Sequence, residues 1–382
     1  MITTEETEQQ KIQEWILSNK NSEEENIKED NYEEETINDS EVNVTENENS
    51  FEYLKLAYEE AEWIFTCQRN SGALAMSPGQ TWIVPYYANL ALLGVTKLNT
   101  NDYNQRIKNY LQWYLAKINR PDNLGISGTI YDYRIDDEGN EIAEFILNPE
   151  EKNYDSSDAY AGTFLSLVRA YYDQSKDETF INNNIDDLKL VANAINSTMQ
   201  DSGLTWAKLD YHEAYLMDNI EVWRGYYDFA QLLNQINDPD TTYYYQQANK
   251  VQDSIETFLW TTEGYLPYDD TELNWNDFYP DAHANMWPII FGLPEAKNRT
   301  FLFNKLSEIH PGWIEHLLSD SYKTSIAVAG IKANDLESVK SFINNINEER
   351  LPERAWPWHP AESGWLIYTY SLMDNINYDN WT

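Results

Sequence analysis

"DAYAGTFLSLVRAYY" (Asp158–Tyr172) and "INNNIDDLKLVANAINSTMQ" (Ile181–Gln200) are close neighbours in the chain and differ in kind. The first is small and apolar on nearly every side. A helix of that composition is buried almost all round. The second carries apolar residues at helical spacing on one face and Asn, Asp and Lys on the other. It buries one stripe and shows the rest to water. An inner helix followed by a half-exposed one is the unit of a two-layer helical structure.

The same alternation extends in both directions from this pair. Helices are expected at 51–69, 84–97, 101–118, 156–173, 179–200, 217–236, 240–260, 281–293, 296–308, 321–333, 335–348 and 361–375. The odd members are amphipathic, as in "NDYNQRIKNYLQWYLAKI" (Asn101–Ile118). The even members are small and apolar: "YYANLALLGV" (Tyr86–Val95), "SIAVAGIKA" (Ser325–Ala333) and "SGWLIYTYSL" (Ser363–Leu372). Six hairpins of this type close into a toroid with the even helices as a parallel inner ring. Their N-termini then share one mouth. The linkers entering the even helices are the long ones, 70–83, 119–155, 201–216, 261–280, 309–320 and 349–360, and long connections on one face are where binding concentrates. Within the second, "TIYDYRIDDEGNEI" (Thr129–Ile142) alternates around a turn and reads as a β-hairpin.

The chain of 382 residues is 42% hydrophobic, ample for one large core. Its single cysteine, Cys67, excludes an internal disulfide and a cysteine-built zinc site. The net charge of −39 repels phosphate backbones and anionic lipid heads, which argues against nucleic acid as a partner. No stretch approaches the roughly 18 consecutive apolar residues of a membrane span. The first ten residues, "MITTEETEQQ", lack the basic start and apolar run of a secretory signal, so the chain reads as cytoplasmic, or as exported if a signal has been trimmed. Residues 1–50 are rich in Glu and Asn and poor in apolar side chains. They are expected to be a disordered acidic tail in front of a single domain, 51–382.

Each inner-helix entrance carries acids or aromatic residues. The first has Trp82 and Tyr86, and the second Asp155 and Asp158. The third has Trp206 and Tyr211 on its linker, then Asp218, Glu221 and Trp223. The fourth has Asp281, His283 and Trp287, and the fifth Asp320 and Lys323. The sixth has Trp356, Trp358, His359, Glu362 and Trp365. One acid at a helix start is ordinarily an N-cap, the simple reading for Asp155, Asp218 and Asp281. Asp158, Glu221 and Glu362 stand further in, where a carboxylate must be exposed or paired. Arg224 reads as a partner that orients a carboxylate. Acids interleaved with Trp and Tyr would line the mouth with hydroxyl acceptors and stacking platforms. A carboxylate pair across a scissile bond is what glycoside hydrolysis needs. Five scattered histidines without an HExxH spacing give no metal site.

This arrangement resembles the six-hairpin glycosidase superfamily, the all-α (α/α)6 toroids that include glucoamylases, trehalases, unsaturated glucuronyl hydrolases and some bacterial endoglucanases. The resemblance covers 51–382 and rests on helix number, alternation and the entrance acids. It implies a glycoside hydrolase acting on an oligo- or polysaccharide, inverting, with no cofactor. In several such families the general acid precedes the sixth helix, where this chain has Asp218 and Glu221. The base precedes the twelfth, where it has Glu362. Others place a working Asp before the fourth, at Asp155 or Asp158. The expected catalytic set is therefore Asp158, Asp218, Glu221, Asp281 and Glu362. The remaining entrance residues, Asp155, the two histidines, Tyr86, Tyr211 and the tryptophans, are expected to bind substrate. A polysaccharide lyase on the same toroid and a non-catalytic carbohydrate-binding protein are the alternatives. Oligomeric state is open.

Overall fold

The structure, a computed structural model, describes residues 45–147, 154–293, 299–315, 323–350, 354 and 356–374. Besides one helical turn at Glu144–Leu147, it contains twelve α-helices among these residues: α1 Thr45–Thr66, α2 Pro85–Val95, α3 Asn104–Lys117, α4 Ser157–Ser175, α5 Glu178–Asn196, α6 Leu216–Gln235, α7 Thr241–Ser254, α8 Trp287–Phe291, α9 Arg299–Ile309, α10 Ser325–Lys332, α11 Leu336–Arg350 and α12 Pro360–Met373. The even helices touch in the order α2, α4, α6, α8, α10, α12 and back to α2, so the ring closes. Odd helices lie outside it: α1 packs on α12, α5 on α4, α7 on α6 and α11 on α10. The molecule is an all-α six-hairpin toroid.

Composition explains the layering. In α12 every residue from Pro360 to Leu372 is buried, and in α4 every residue from Ser157 to Val168. In α5 only one face, including Phe180, Ile181, Leu188, Val191 and Ile195, is buried. Two junctions of the ring are closer than side chains would allow. A Cβ added at Gly162 of α4 would stand 2.6 Å from the Glu221 carbonyl oxygen of α6. One added at Gly94 of α2 would stand 2.1 Å from the Gly364 carbonyl oxygen of α12. The small residues of the inner helices are there so that backbone packs on backbone.

The expected hairpin is present as β2 (Tyr133–Ile135) paired antiparallel with β3 (Glu141–Ala143), and β1 (Trp82–Ile83) adds a third strand beside β2. Glu141 fastens it to the outer layer, accepting hydrogen bonds from Trp113 Nε1 (2.7 Å), Arg69 Nε (3.2 Å) and the Ser71 hydroxyl. A two-residue ladder, β4 (Trp260–Thr261) with β5 (Gly264–Tyr265), follows α7.

Two departures from the sequence reading have local causes. The first helix starts at Thr45, six residues ahead of the expected boundary, within a Glu/Asn-rich stretch that tolerates helix. The rest of the expected tail lies outside the described residues, as does Asp320. The helix expected at 281–293 is split into a wide turn, Phe278–Ala282, and the short α8. Tyr279 precedes Pro280, which disfavours helical geometry for it, and it is extended at φ −125°, ψ 128°. No helix among the described residues is long and apolar enough to cross a membrane.

Candidate active site

Hydrogen bonds cross from one inner-helix entrance to another, so these entrances meet at one mouth. Glu221 lies in the second turn of α6 and is 1% exposed. Its Oε1 accepts from Tyr86 Oη of α2 (2.8 Å) and from Trp287 Nε1 of α8 (3.0 Å). Its Oε2 is buried and has no hydrogen-bond partner among the described residues. Burial raises the carboxyl to about 8, and the charge of Asp158 adds to this, while the two donors on Oε1 oppose it. With Oε1 occupied as an acceptor, a proton on this group belongs on Oε2.

Glu362, in the first turn of α12, is held differently. Its Oε2 accepts from Thr324 N (2.9 Å) and Thr324 Oγ1 (2.6 Å), both at the entrance of α10. Its Oε1 lies 3.6 Å from His359 Nε2. Burial raises its pKa, and the Lys323 ammonium and the Thr324 donors pull the other way. The two glutamates thus each have one oxygen fixed and one left over. One is surrounded by apolar rings and acids, the other has a cation nearby.

Two aspartates, Asp158 and Asp218, lie close to Glu221. Asp158 is fully buried, with Oδ2 accepting from Thr205 Oγ1 (2.6 Å) and Oδ1 from Ala159 N (2.8 Å). Burial raises it to about 7. Asp218 is half-buried and is raised well above the usual carboxylate range, by burial first and then by the charges of Asp158, Glu221 and Asp155. Neither Asp155 nor Asp218 caps its helix, since the N-cap positions belong to Ser156 and Tyr215. Asp281 accepts the Asn274 N–H at 2.7 Å and so ties down the loop in front of α8. Arg224 pairs with Asp228 one turn deeper in α6 (2.8 Å), away from the entrance acids.

The aromatic residues divide into buried and reachable. Trp223 is 3% exposed and stacks on Tyr227, and Trp358 is 1% exposed with its Nε1 bonded to Ser363 Oγ at 2.9 Å. Both belong to the packing, because they are buried within the hydrophobic core. Trp287 and Trp365 are buried edge to face, ring centroids 6.0 Å apart, and Trp287 reaches the site through its N–H. Trp82 lies under the Arg134 guanidinium, and Trp206 is stacked on His212, centroids 3.9 Å apart. Trp356 and Tyr211 are exposed. Tyr211 shares a 2.9 Å hydroxyl contact with Tyr215 at the start of α6.

His283 is buried against Phe278, Tyr279 and Trp287. Its Nε2 is 3.2 Å from Ser325 Oγ, and burial and Lys323 keep it neutral. His359 lies on Tyr87, ring centroids 4.3 Å apart, with its pKa lowered to about 3 by burial and then by Lys323. Among the described residues no group of three or more His, Cys, Asp or Glu is placed to hold a metal ion.

Four site residues escaped the sequence reading. Tyr87 is half-buried beside Tyr86 and is raised to about 12 by burial and then by Tyr279, Glu362, Asp155 and Asp132. Tyr279 is exposed at the rim, its hydroxyl within the field of Asp218, Asp155 and Glu221, with Lys323 Nζ 5.1 Å from its ring centre. Thr324 clamps Glu362. Asp132 stands just before β2.

No protein-family model matches the sequence, and no curated protein is similar to it. Solved structures do match in shape. A glycosidase superposes with a TM-score of 0.58 at 10% identity, over 88% of this chain and 99% of its own. The fold is that of the six-hairpin glycosidases. A β-1,3-1,4-glucanase from Paenibacillus sp. X4 shares this toroid with a TM-score of 0.56 at 11% identity, over 89% of this chain and 95% of its own. A rhamnosidase from Klebsiella oxytoca with rhamnose bound gives 0.55 at 11% identity, over 87% of this chain and 64% of its own. At these identities the likeness is one of fold.

Proposed function

We propose that this protein is a glycoside hydrolase in which Glu221 is the general acid and Glu362 the general base of an inverting hydrolysis. The toroid from residue 51 is its catalytic domain, and the acidic segment before it stands outside the chemistry. The observation that carries the reading is the asymmetry of Glu221. One oxygen is saturated by Tyr86 and Trp287, the other is buried without a partner, and the group holds its proton at neutral pH. A carboxylic acid in that state is poised to give its proton to a glycosidic oxygen as the bond to the anomeric carbon breaks.

Glu362 supplies the complementary half. Thr324 fixes Oε2, leaving Oε1 to take a proton from the water that attacks the opposite face of the sugar ring. Burial, and after it the charge of Asp158, keeps Glu221 protonated. The neutral imidazoles of His283 and His359 and the hydroxyls of Tyr87 and Tyr279 serve the substrate's hydroxyl groups. Trp82, Trp206, Tyr211 and Trp356 remain as outer stacking platforms. Structures of this shape include a glycosidase variant with a glutamate replaced by alanine in complex with glucose, which supports a sugar as the ligand here. The test is a panel of oligo- and polysaccharides with analysis of the product anomer. Hydrolysis with inversion is expected. Turnover of uronates by elimination, or binding of glycans without cleavage, would overturn the assignment.

A further inference from the structure

Asp132 is not at a helix entrance. It lies at the root of the hairpin, where its carbonyl accepts the Glu144 N–H at 2.8 Å, so its backbone is locked by the β2–β3 pairing. Its Oδ1 accepts from Tyr160 Oη of α4 at 3.1 Å. The Tyr160 ring stacks on Tyr86, centroids 5.7 Å apart and planes 20° apart, and Tyr86 Oη is the donor to Glu221. Two tyrosine–carboxyl pairs therefore run side by side through one stack, with Glu221 at one end and Asp132 at the other. Tyr87, edge-on to Tyr86 at 5.5 Å, feels both Glu362 and Asp132. Tyr87 therefore stands among the surroundings of both glutamates and of Asp132.

We infer that Asp132 is a specificity-determining residue of this mouth, binding a hydroxyl group of an uncharged sugar unit and disfavouring sugars that carry carboxylate, sulfate or phosphate. The inference rests on the glycosidase reading above and names its substrate class. Three observations support it. Asp132 is half-buried, so a ligand can reach it, and Oδ2 has no hydrogen bond to the described residues. Oε2 of Glu221, in the same mouth, is likewise without a hydrogen-bond partner among the described residues. The nearest cation, Arg134, is bound to Glu144 at 2.9 Å and lies on Trp82, and so is not aimed at an incoming anion. Burial raises the Asp132 carboxyl to about 8. At neutral pH it offers both an O–H donor and an acceptor, the pair of functions that a sugar hydroxyl complements. Asp155 close by would repel an anionic substituent.

The experiment uses the full chain with Glu221→Gln to stop turnover. Binding of neutral cello-, malto- and xylo-oligosaccharides and of an oligogalacturonate is measured by calorimetry, with Asp132→Asn or Asp132→Leu added. The expected result is tighter binding of a neutral oligosaccharide than of the oligogalacturonate. Asn, which keeps a donor and an acceptor, should hold affinity within a few-fold. Leu should lose about tenfold or more. In the otherwise wild-type enzyme the Leu change should appear mainly in KM, with the pH limits of kcat in place. If Leu prevents folding, Asp132→Ser shortens the chain without an apolar group and should show the same loss. Equal affinity of all Asp132 variants for a glycan that the protein does cleave would overturn this inference alone. Failure of the protein to bind any glycan would overturn both readings, and preference for the oligogalacturonate would overturn the charge selection.

Discussion

The entrances of α6 and α12 look alike in the sequence and differ in what surrounds their glutamates. Each places a glutamate within two turns of the helix start, beside tryptophan. At α6 the neighbours are Tyr86, Trp287 and two further acids, so burial and like charge both favour the neutral form. At α12 the neighbours are Thr324 and Lys323, which favour the charged form against the same burial. Two identical side chains are thereby placed in opposite electrostatic surroundings, which on the proposed reading suit them to opposite tasks. The lesson is that the difference comes from Asp158 on α4 and from Lys323 and Thr324 ahead of α10, not from the motif that carries the acid.

The sharpest way to break this comparison is to neutralise each acid in place. Glu221→Gln keeps the acceptor for Tyr86 and Trp287 and removes the proton, so kcat should fall roughly 10²–10⁴-fold with the circular dichroism of the fold intact. Glu362→Gln should fall as far. The two then separate on rescue: azide should restore turnover to Glu362→Ala and leave Glu221→Ala inactive. Wild-type turnover in both Gln variants would reduce the two glutamates to structural groups.

A smaller effect is expected from the packing that supports them. Gly162→Ala drives a methyl against the Glu221 carbonyl oxygen and should destabilise the fold by about 1–3 kcal/mol, read as a lower midpoint in urea. An unchanged midpoint would mean that α4 and α6 can separate at no cost.

Next come shifts in the pH–rate profile, which test the two environments separately. Tyr86→Phe removes a donor that lowers the Glu221 pKa, so the alkaline limb should move to higher pH. Lys323→Met removes a cation that lowers the Glu362 pKa, so the acidic limb should also move up. If either substitution moves the other limb instead, the acid and base assignments are exchanged.

A last test is stability against pH. Glu221 titrates near 8 in the folded protein and about 4.3 when unfolded. Between those values the folded state binds the extra proton, so its stability falls as pH rises. Glu221→Gln has no such penalty. Its melting temperature should gain on that of the wild type from pH 5 to pH 8, and parallel curves would show that Glu221 ionises as freely in the fold as out of it.

Much of this was legible in the chain. The alternation of "YAGTFLSLV" with "NNNIDDLKL" was enough for twelve helices and a ring, because burial on all sides demands small apolar residues. The hairpin at Thr129–Ile142 was legible from its period of two. The site was harder. Trp223 and Trp358 share the entrances with the acids, yet only tertiary packing decides that they are covered. Asp132 was missed because "YDY" reads as part of a strand. An acid between two tyrosines at the root of a hairpin, in the longest linker, was the available signal. Thr324 carries no such signal, since its role exists only when α10 meets α12.

The glycine contacts have a consequence for stereochemistry. Gly162 seats on the carbonyl of Glu221 itself, and Gly364, two residues beyond Glu362, seats on Ala91 and Gly94 of the helix that carries Tyr86. Of the junctions that separate the two glutamates through α4 and α2, α6 on α4 and α12 on α2 are main chain against main chain, while Asn89 bridges α2 to α4 by donating to the Tyr160 carbonyl at 3.1 Å. The gap between the two carboxyl groups decides whether a water fits beside the sugar. On the proposed reading, inversion or retention would follow from the spacing of these helices.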